Sequence, residues 1–320
     1  MKNYFKHDEW LIIEEGFNPS YNRVSESVFS IGNGKIGQRA NFEEQYSGDS
    51  LQGSYVAGVY YPDKTRVGWW KNGYPEYFAK VPNATNWIGL NININGIPLN
   101  LATCKLNSFR RVLNMKEGLL MREFEAILEN GDIIKVTSTR FCHLHKSSIG
   151  AIEYNITPLS SSSKIEIESY LDGDIENEDS NYDHKFWEEV SQTVELNRSC
   201  LAVKTLKTNF IVATASETFL SLNGKEVKSN FSQNTKSKYV SVTTNCQLAQ
   251  GETLSINKYT ATISSLDYQA EKISETAALL CKEASSTGFA TLKKEQAAAW
   301  LTHWNESDII IVGDLSLIHI

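Results

Sequence analysis

Several common functional classes are excluded by what this sequence lacks. No apolar run approaches the roughly 20 residues that cross a bilayer. The opening Met1-Lys-Asn-Tyr-Phe-Lys-His-Asp-Glu-Trp10 carries charge where a signal peptide needs an apolar stretch. Neither a membrane span nor a leader is therefore expected, and a cytoplasmic location is. Positive charge is not in excess: 31 Lys and Arg stand against 38 Asp and Glu, a formal charge of −7. That argues against a nucleic-acid partner, because phosphate contacts want a basic face. The five cysteines (Cys104, Cys142, Cys200, Cys246, Cys281) are odd in number and scattered. With no C-x-x-C pair among them they read as buried free thiols. His143-x-His145 could set two imidazoles on one face of a strand, but no third ligand is evident, so no metal is expected. Neither a P-loop nor a G-x-S-x-G elbow occurs.

What is present is strand upon strand. The 320 residues, 41% of them hydrophobic, suffice for one large domain or two ordinary ones. Residues 1 to about 265 show short β-branched and aromatic runs between turn signals. Leu90-Asn-Ile-Asn-Ile-Asn95 alternates strictly, Asn95-Gly96 turns, and Ile97-Pro-Leu-Asn-Leu101 resumes. Asn130-Gly131 and Asn223-Gly224 repeat the pattern, and Asn-Gly tolerates the positive φ that a tight hairpin needs. Ile149–Ile156 and Lys164–Tyr170 add strands with no long helix between them. The expected fold is mainly β: a large antiparallel β-sandwich followed by two helices. Helical spacing begins after Ser265, with Ile273, Ala277 and Leu280 on one segment. Phe289, Leu292, Gln296, Ala299, Trp300 and His303 mark the next. So short a pair cannot make its own core and must pack on the sheet or on something outside it.

Four features invite a functional reading. Gly32-x-Gly34-x-x-Gly37 has the spacing of a dinucleotide site, with Ser27–Ile31 as a preceding strand. No amphipathic helix follows to receive a pyrophosphate, so a glycine-bent turn is the better reading. The acidic stretch from Leu171 to Glu189 has no calcium-loop spacing and reads as a solvated surface loop. Glu43-Glu44 are adjacent carboxylates, but on a strand they would point to opposite faces and need not form a catalytic pair. From Tyr55 to Trp87 nine aromatic residues are interspersed with Gly and Pro, which suits a long loop. Flat rings with polar tips suit sugars, and equally suit a loop clasped to a sheet or a partner domain.

Several segments, in order, resemble glycoside hydrolase family 65. Glu26-Ser-Val-Phe-Ser-Ile-Gly-Asn-Gly-Lys-Ile-Gly-Gln-Arg-Ala-Asn-Phe-Glu-Glu44 is similar to its opening motif, and Gly53–Tyr60 to the next block. Ser108–Phe124, Thr139–Phe141 and Ser169–Asp174 continue the series, and Trp300-x-x-x-Trp304 with Gly313-Asp314 resembles the junction with the family's catalytic domain. The block Tyr61–Phe78 is most similar to maltose phosphorylases. Lys35 and Ala40 depart from the family's usual residues, as does Leu315–Ile320 at the end.

The resemblance implies an N-terminal β-sandwich over residues 1–265, a helical linker over 266–306, and at 307–320 the truncated start of an (α/α)6 barrel. It implies an inverting phosphorylase in which maltose and phosphate give β-glucose 1-phosphate and glucose. One carboxylic acid protonates the departing oxygen while anionic phosphate attacks the opposite face, replacing a base-activated water. In the family the acid and the phosphate site lie on the barrel, so no catalytic residue is expected here and this chain alone should be inactive. The expected partners are its own barrel, a disaccharide, and a second subunit of the longer protein. No cofactor is expected beyond phosphate as co-substrate. Trp69, Trp70, Tyr74 and Tyr77 are the candidate sugar contacts, shaping the mouth of the pocket. The alternatives are a stand-alone carbohydrate-binding sandwich, or the same domain of a trehalose or kojibiose phosphorylase or a trehalase.

Overall fold

The computed structural model describes residues 4–65, 75–178 and 185–309. Two antiparallel sheets face each other. The larger has eleven strands, ordered 5–7, 11–15, 105–114, 119–127, 133–142, 149–158, 254–264, 211–222, 198–205 and 187–195, with 225–226 paired to 211–222. The smaller has five, ordered 232–236, 239–248, 163–172, 90–94 and 97–98. The expected β-sandwich is thus present.

Strict alternation makes these strands two-faced. Along Ser163–Asp172, Ile165, Ile167 and Leu171 are buried while Lys164 and Glu166 are exposed. Leu90, Ile92 and Ile94 join them on the inner face of the small sheet. The large sheet answers with Phe124, Val136, Tyr154, Ile156 and Ile256 in one continuous core. Each such aliphatic residue, fully buried, contributes about 1.5–3 kcal/mol.

The Asn-Gly turns lie where expected. Asn95 and Gly96 have φ of 53° and 82°, and Asn223 and Gly224 have 47° and 79°, the double left-handed form that matches strand twist. Asn130-Gly131 sits in a longer loop, where only Gly131 turns left-handed, at 88°. The strand after Gly96 is shorter than its apolar pattern predicts, covering only Ile97–Pro98. Leu99 and Leu101 are buried off the sheet edge, where the chain turns at Asn100.

One element differs from the sequence reading. Asn22–Val28 is a helix, α1, and the strand expected over 27–31 shrinks to Ile31–Gly32. Asn18 accepts a bond from Ser20 N at 3.0 Å and Pro19 fixes the first φ, which starts a short 3-10 turn into the helix. The buried face of α1 is Asn22, Ser25 and Glu26, so it shows no apolar period. Its stability rests on an i,i+4 bond from Asn22 Nδ2 to Glu26 Oε1 at 2.9 Å and on contacts beyond the helix.

The C-terminal helices, α2 (Ile273–Thr287) and α3 (Phe289–Ser307), cover part of the outer face of the large sheet. Ile273, Ala277, Cys281 and Ala284 of α2, with Phe289 and Leu292 of α3, form a second core with Ala202, Ala213, Ala261 and Phe141. Sheet alanines leave room for the helices to approach. Gly288, at φ 82°, makes the bend between them.

Candidate functional site

Where it is described, part of the aromatic segment pairs as a two-stranded ribbon. Tyr61–Lys64 pairs antiparallel with Tyr77–Lys80, and Thr65 Oγ1 donates to Pro75 O at 2.6 Å. The ribbon is anchored at its base: Tyr61 stacks on Phe186 at 4.3 Å, and Lys80 pairs with Asp63 at 2.7 Å. Burial alone would raise Asp63, but the bond and charge of Lys80 outweigh it and hold the carboxyl below its usual range. Tyr60, Tyr77, Phe78 and Val81 are exposed, Tyr77 by half. Of the four candidate sugar contacts, Tyr77 is therefore placed with its ring open to solvent. Trp69, Trp70 and Tyr74 lie outside the described residues. Trp87 belongs to the core, packed over Gly150, where a Cβ would come within 2.7 Å of the indole.

The glycine motif closes a small hairpin. Gly32 pairs with Gly37, and Gly34 turns left-handed at 86°. Asn33 Oδ1 accepts from Lys35 N and Ile36 N, while its Nδ2 donates to His143 O at 2.8 Å and Ser147 O at 2.9 Å. The turn is thus fastened to the sheet, and β-structure follows it, as the turn reading expects. His143 is buried, which lowers its pKa; its Nδ1 accepts from Lys146 N, and its Nε2 lies 3.4 Å from Glu295. Among the described residues no His, Cys, Asp and Glu cluster could hold a metal ion.

Glu43 and Glu44 require a correction. They lie in a bend, not on a strand, so adjacent side chains converge. Both carboxylates bind the guanidinium of Arg122, Glu43 also takes Arg140 at 2.7 Å, and Tyr154 Oη donates to Glu44 at 3.2 Å. Arg111 pairs with Glu14 at 3.2 Å beside them. All six charged side chains are buried. Burial would raise Glu43, but Arg140 and Arg122 overcome it and hold the carboxyl below its usual range. A carboxyl so held cannot carry the proton a general acid must give up. The cluster clamps residues 39–44 to the sheet, with Arg140 also donating to Arg39 O and Asn41 O.

This cluster went unread in the sequence, although a signal exists. Arg111, Arg122 and Arg140 occupy inward positions of three adjacent strands, in phase with Phe109, Phe124 and Cys142. A charged residue repeating in the apolar phase marks a buried ion pair.

The acidic segment is also more structured than a solvated loop. Asp172 ends one strand, and Glu188 and Glu189 lie on another, Trp187–Glu195. Asp174 pairs with Lys185 and Lys238, and Ile175 is buried. Burial, with Asp174 nearby, raises the Asp172 carboxyl, yet its Oδ1 is occupied by Asp174 N at 2.8 Å. Asp179 and Asp183 lie outside the described residues.

A family model described as "Glycosyl hydrolase family 65, N-terminal domain" matches residues 12–303. The chain belongs to glycosyl hydrolase family 65. This family 65 domain is 36% identical over 313 residues to a maltose phosphorylase of Bacillus subtilis (strain 168), covering 98% of this chain and 41% of that protein. It is 29% identical over 331 residues to an alpha,alpha-trehalose phosphorylase of Thermoanaerobacter brockii, covering 99% and 42%. A solved structure from the human microbiome, named for kojibiose phosphorylase, superposes with a TM-score of 0.87 at 27% identity, over 98% of this chain and 40% of that one. The chain therefore spans about two fifths of the length of these curated relatives.

Proposed function

We propose that this chain is the non-catalytic N-terminal part of an inverting disaccharide phosphorylase acting on maltose. One observation carries the reading: similarity to a maltose phosphorylase runs through 98% of this chain but only 41% of that protein. The charge pattern agrees, because the buried carboxylates all have partners: Glu14, Glu43, Glu44 and Glu217 pair with arginines, Asp63 with Lys80, and Glu26 accepts from Asn22, Ser50 and Leu51 N. The acid that protonates the departing oxygen then lies in an (α/α)6 barrel beyond this domain, where inorganic phosphate serves as co-substrate and no cofactor is needed. The domain shapes the mouth of that pocket or supports a homodimer of the longer protein, in the cytoplasm, without nucleic acid or membrane.

The contacts this domain makes with the disaccharide substrate are assigned to Trp69, Trp70, Tyr74 and Tyr77. Half-exposed Tyr77 favours a second reading, a stand-alone carbohydrate-binding sandwich. Phosphate-dependent glucose release from maltose, trehalose and kojibiose separates the readings, using this chain and a version extended through its gene. Activity on maltose in the extended protein alone supports the proposal. Turnover by the 320 residues alone overturns it, and preference for another disaccharide moves the assignment within the family. In the extended enzyme Trp70→Ala should raise KM for disaccharide or lower kcat; an unchanged kcat/KM removes Trp70 from the site.

A further inference from the structure

Five Asn-Gly pairs occur in the sequence, beginning at Asn33, Asn72, Asn95, Asn130 and Asn223. Asparagine is chemically labile, and most so before glycine, whose missing side chain leaves its nitrogen unobstructed. That nitrogen can attack the asparagine Cγ and expel ammonia, and water then opens the resulting succinimide. The side-chain amide must swing toward the glycine nitrogen first, so the hydrogen bonds that hold it decide which pair reacts. Asn72 lies outside the described residues and takes no part in the comparison. Asn33 is held four times, by Lys35 N, Ile36 N, His143 O and Ser147 O. Asn95 and Asn130 are exposed, yet one carboxylate holds both: Asp132 Oδ2 accepts from Asn95 Nδ2 at 2.8 Å and from Asn130 Nδ2 at 2.7 Å. Ser161 Oγ donates to Asp132 Oδ1 at 2.9 Å and fixes the carboxylate in place. Burial would raise Asp132, but the bonds from Asn95, Asn130 and the serines outweigh it and keep it ionised. Gly131 N is itself committed to Leu128 O at 2.9 Å.

Asn223 has no such guard. Its Oδ1 accepts from Thr253 N at 3.0 Å, just as Asn95 Oδ1 accepts from Lys164 N at 2.9 Å. Its Nδ2, however, reaches only Glu252 Oε1 at 3.5 Å, beyond good hydrogen-bond range, while Glu252 Oε2 is taken by Ala249 N at 2.7 Å. Asn223 and Gly224 are both exposed, and among the described residues Gly224 N donates to no backbone acceptor. We propose that Asn223-Gly224 is a site of spontaneous deamidation, and that Asp132 protects the turns at Asn95 and Asn130 from the same reaction. A bond forms from Gly224 N to Asn223 Cγ, and the side-chain nitrogen leaves as ammonia, taking the glycine N–H proton. Water then adds across one C–N bond of the imide. Opening at the main-chain carbonyl gives isoaspartate, which lengthens the backbone of a two-residue turn by one carbon and sets a carboxylate beside Glu252. The pairing of 225–226 with 211–222 should then be lost. This site owes nothing to the disaccharide reading.

Ageing the folded 320-residue chain in mildly alkaline buffer, with peptide mapping by mass spectrometry at intervals, tests it. The Asn223 peptide should gain one dalton first, and an isoaspartyl methyltransferase should label it. The Asn33, Asn95 and Asn130 peptides should lag about tenfold, the worth of one hydrogen bond to a charged or well-held partner. Asp132→Ala should speed Asn95 and Asn130 about tenfold and leave Asn33 and Asn223 unchanged. If Asp132→Ala misfolds, Asp132→Asn, of the same shape without the charge, decides, with a smaller acceleration expected. In concentrated urea the rates should converge, since the ranking belongs to the fold. Equal rates in the folded chain, or Asn95 or Asn130 reacting before Asn223, overturn the assignment of Asn223. A ranking that survives in urea does the same, because it would come from local sequence. An Asp132→Ala chain with unchanged rates, or with all four sites accelerated together, overturns the protective role of Asp132.

Discussion

Arg122 stands where an alternating strand would put an apolar side chain, with Arg111 directly across the ladder and Arg140 on the next strand. Three guanidiniums in one core would repel, and Glu14, Glu43 and Glu44 neutralise them. Arg122→Met should therefore cost about 3–5 kcal/mol in urea unfolding, because it strands buried carboxylates. Lys135→Met, which breaks the exposed pair with Glu123, should cost no more than about 1 kcal/mol. Equal losses would mean that the buried cluster is no more than a surface pair in its energetics. Lys258 poses the complementary case. It is fully buried, its Nζ donates to Gly89 O and Tyr170 O at 2.8 Å each, and it thereby ties the large sheet to the small one. Burial pushes it down to about 7, against weaker upward pulls from Cys281 and Glu168. From about pH 7 to the ordinary lysine value of about 10.4, the unfolded chain holds a proton that the folded chain has lost, so this group's contribution to stability rises with pH. Buried thiols act oppositely at the alkaline end, since Cys200 is raised to about 11 by burial. The difference between the parent chain and Lys258→Met isolates the lysine. Unfolding free energies should show the variant relatively most stable near pH 7 and losing that advantage toward pH 9.5. A difference independent of pH would show that Lys258 keeps its charge inside the fold.

Elements were legible wherever one residue type has one physical use. Asn-Gly marked three turns because positive φ is cheap there, and period-2 alternation marked strands because one sheet face is wet. Helix α1 was not legible, since its buried face is polar and its partners, such as Asp49 O, come from a distant segment. The convergence of Glu43 and Glu44 was hidden for a related reason: a bend has no periodicity from which to read direction. Legibility also separates two glycines. Gly118, at φ 64°, would bring a Cβ within 1.9 Å of Trp300 Nε1, while Gly131, at φ 88°, has nothing within 4 Å. Gly131→Ala should cost about 1 kcal/mol for backbone strain alone. Gly118→Ala adds the displacement of an indole that stacks on Trp304, so it should cost more and change the near-UV circular dichroism. Identical near-UV spectra for the two variants would show that α3 does not depend on this contact.

At the scale of the molecule, the large sheet serves two cores, one shared with the small sheet and one with α2 and α3. The helices answer a question the sequence left open, since they find their core on the sheet itself. The ribbon does not: its base is fixed by Phe186 and Asp63, but Tyr77, with Val81 just beyond it, is half exposed. Such a cluster marks a surface that another body covers, and in the proposed function that body is the rest of a longer polypeptide. Without it, this chain should self-associate. Sedimentation velocity should show a weight-average mass that climbs with concentration and persists in high salt, because apolar contact is not screened. Tyr77→Ser with Val81→Ser should return the chain to monomer without shifting its unfolding midpoint by more than a surface substitution does. A parent chain that stays monomeric throughout would mean that the exposed rings need no cover. The ribbon would then be better read as a free ligand-facing surface, with the stand-alone sugar-binding domain gaining at the expense of the docked one.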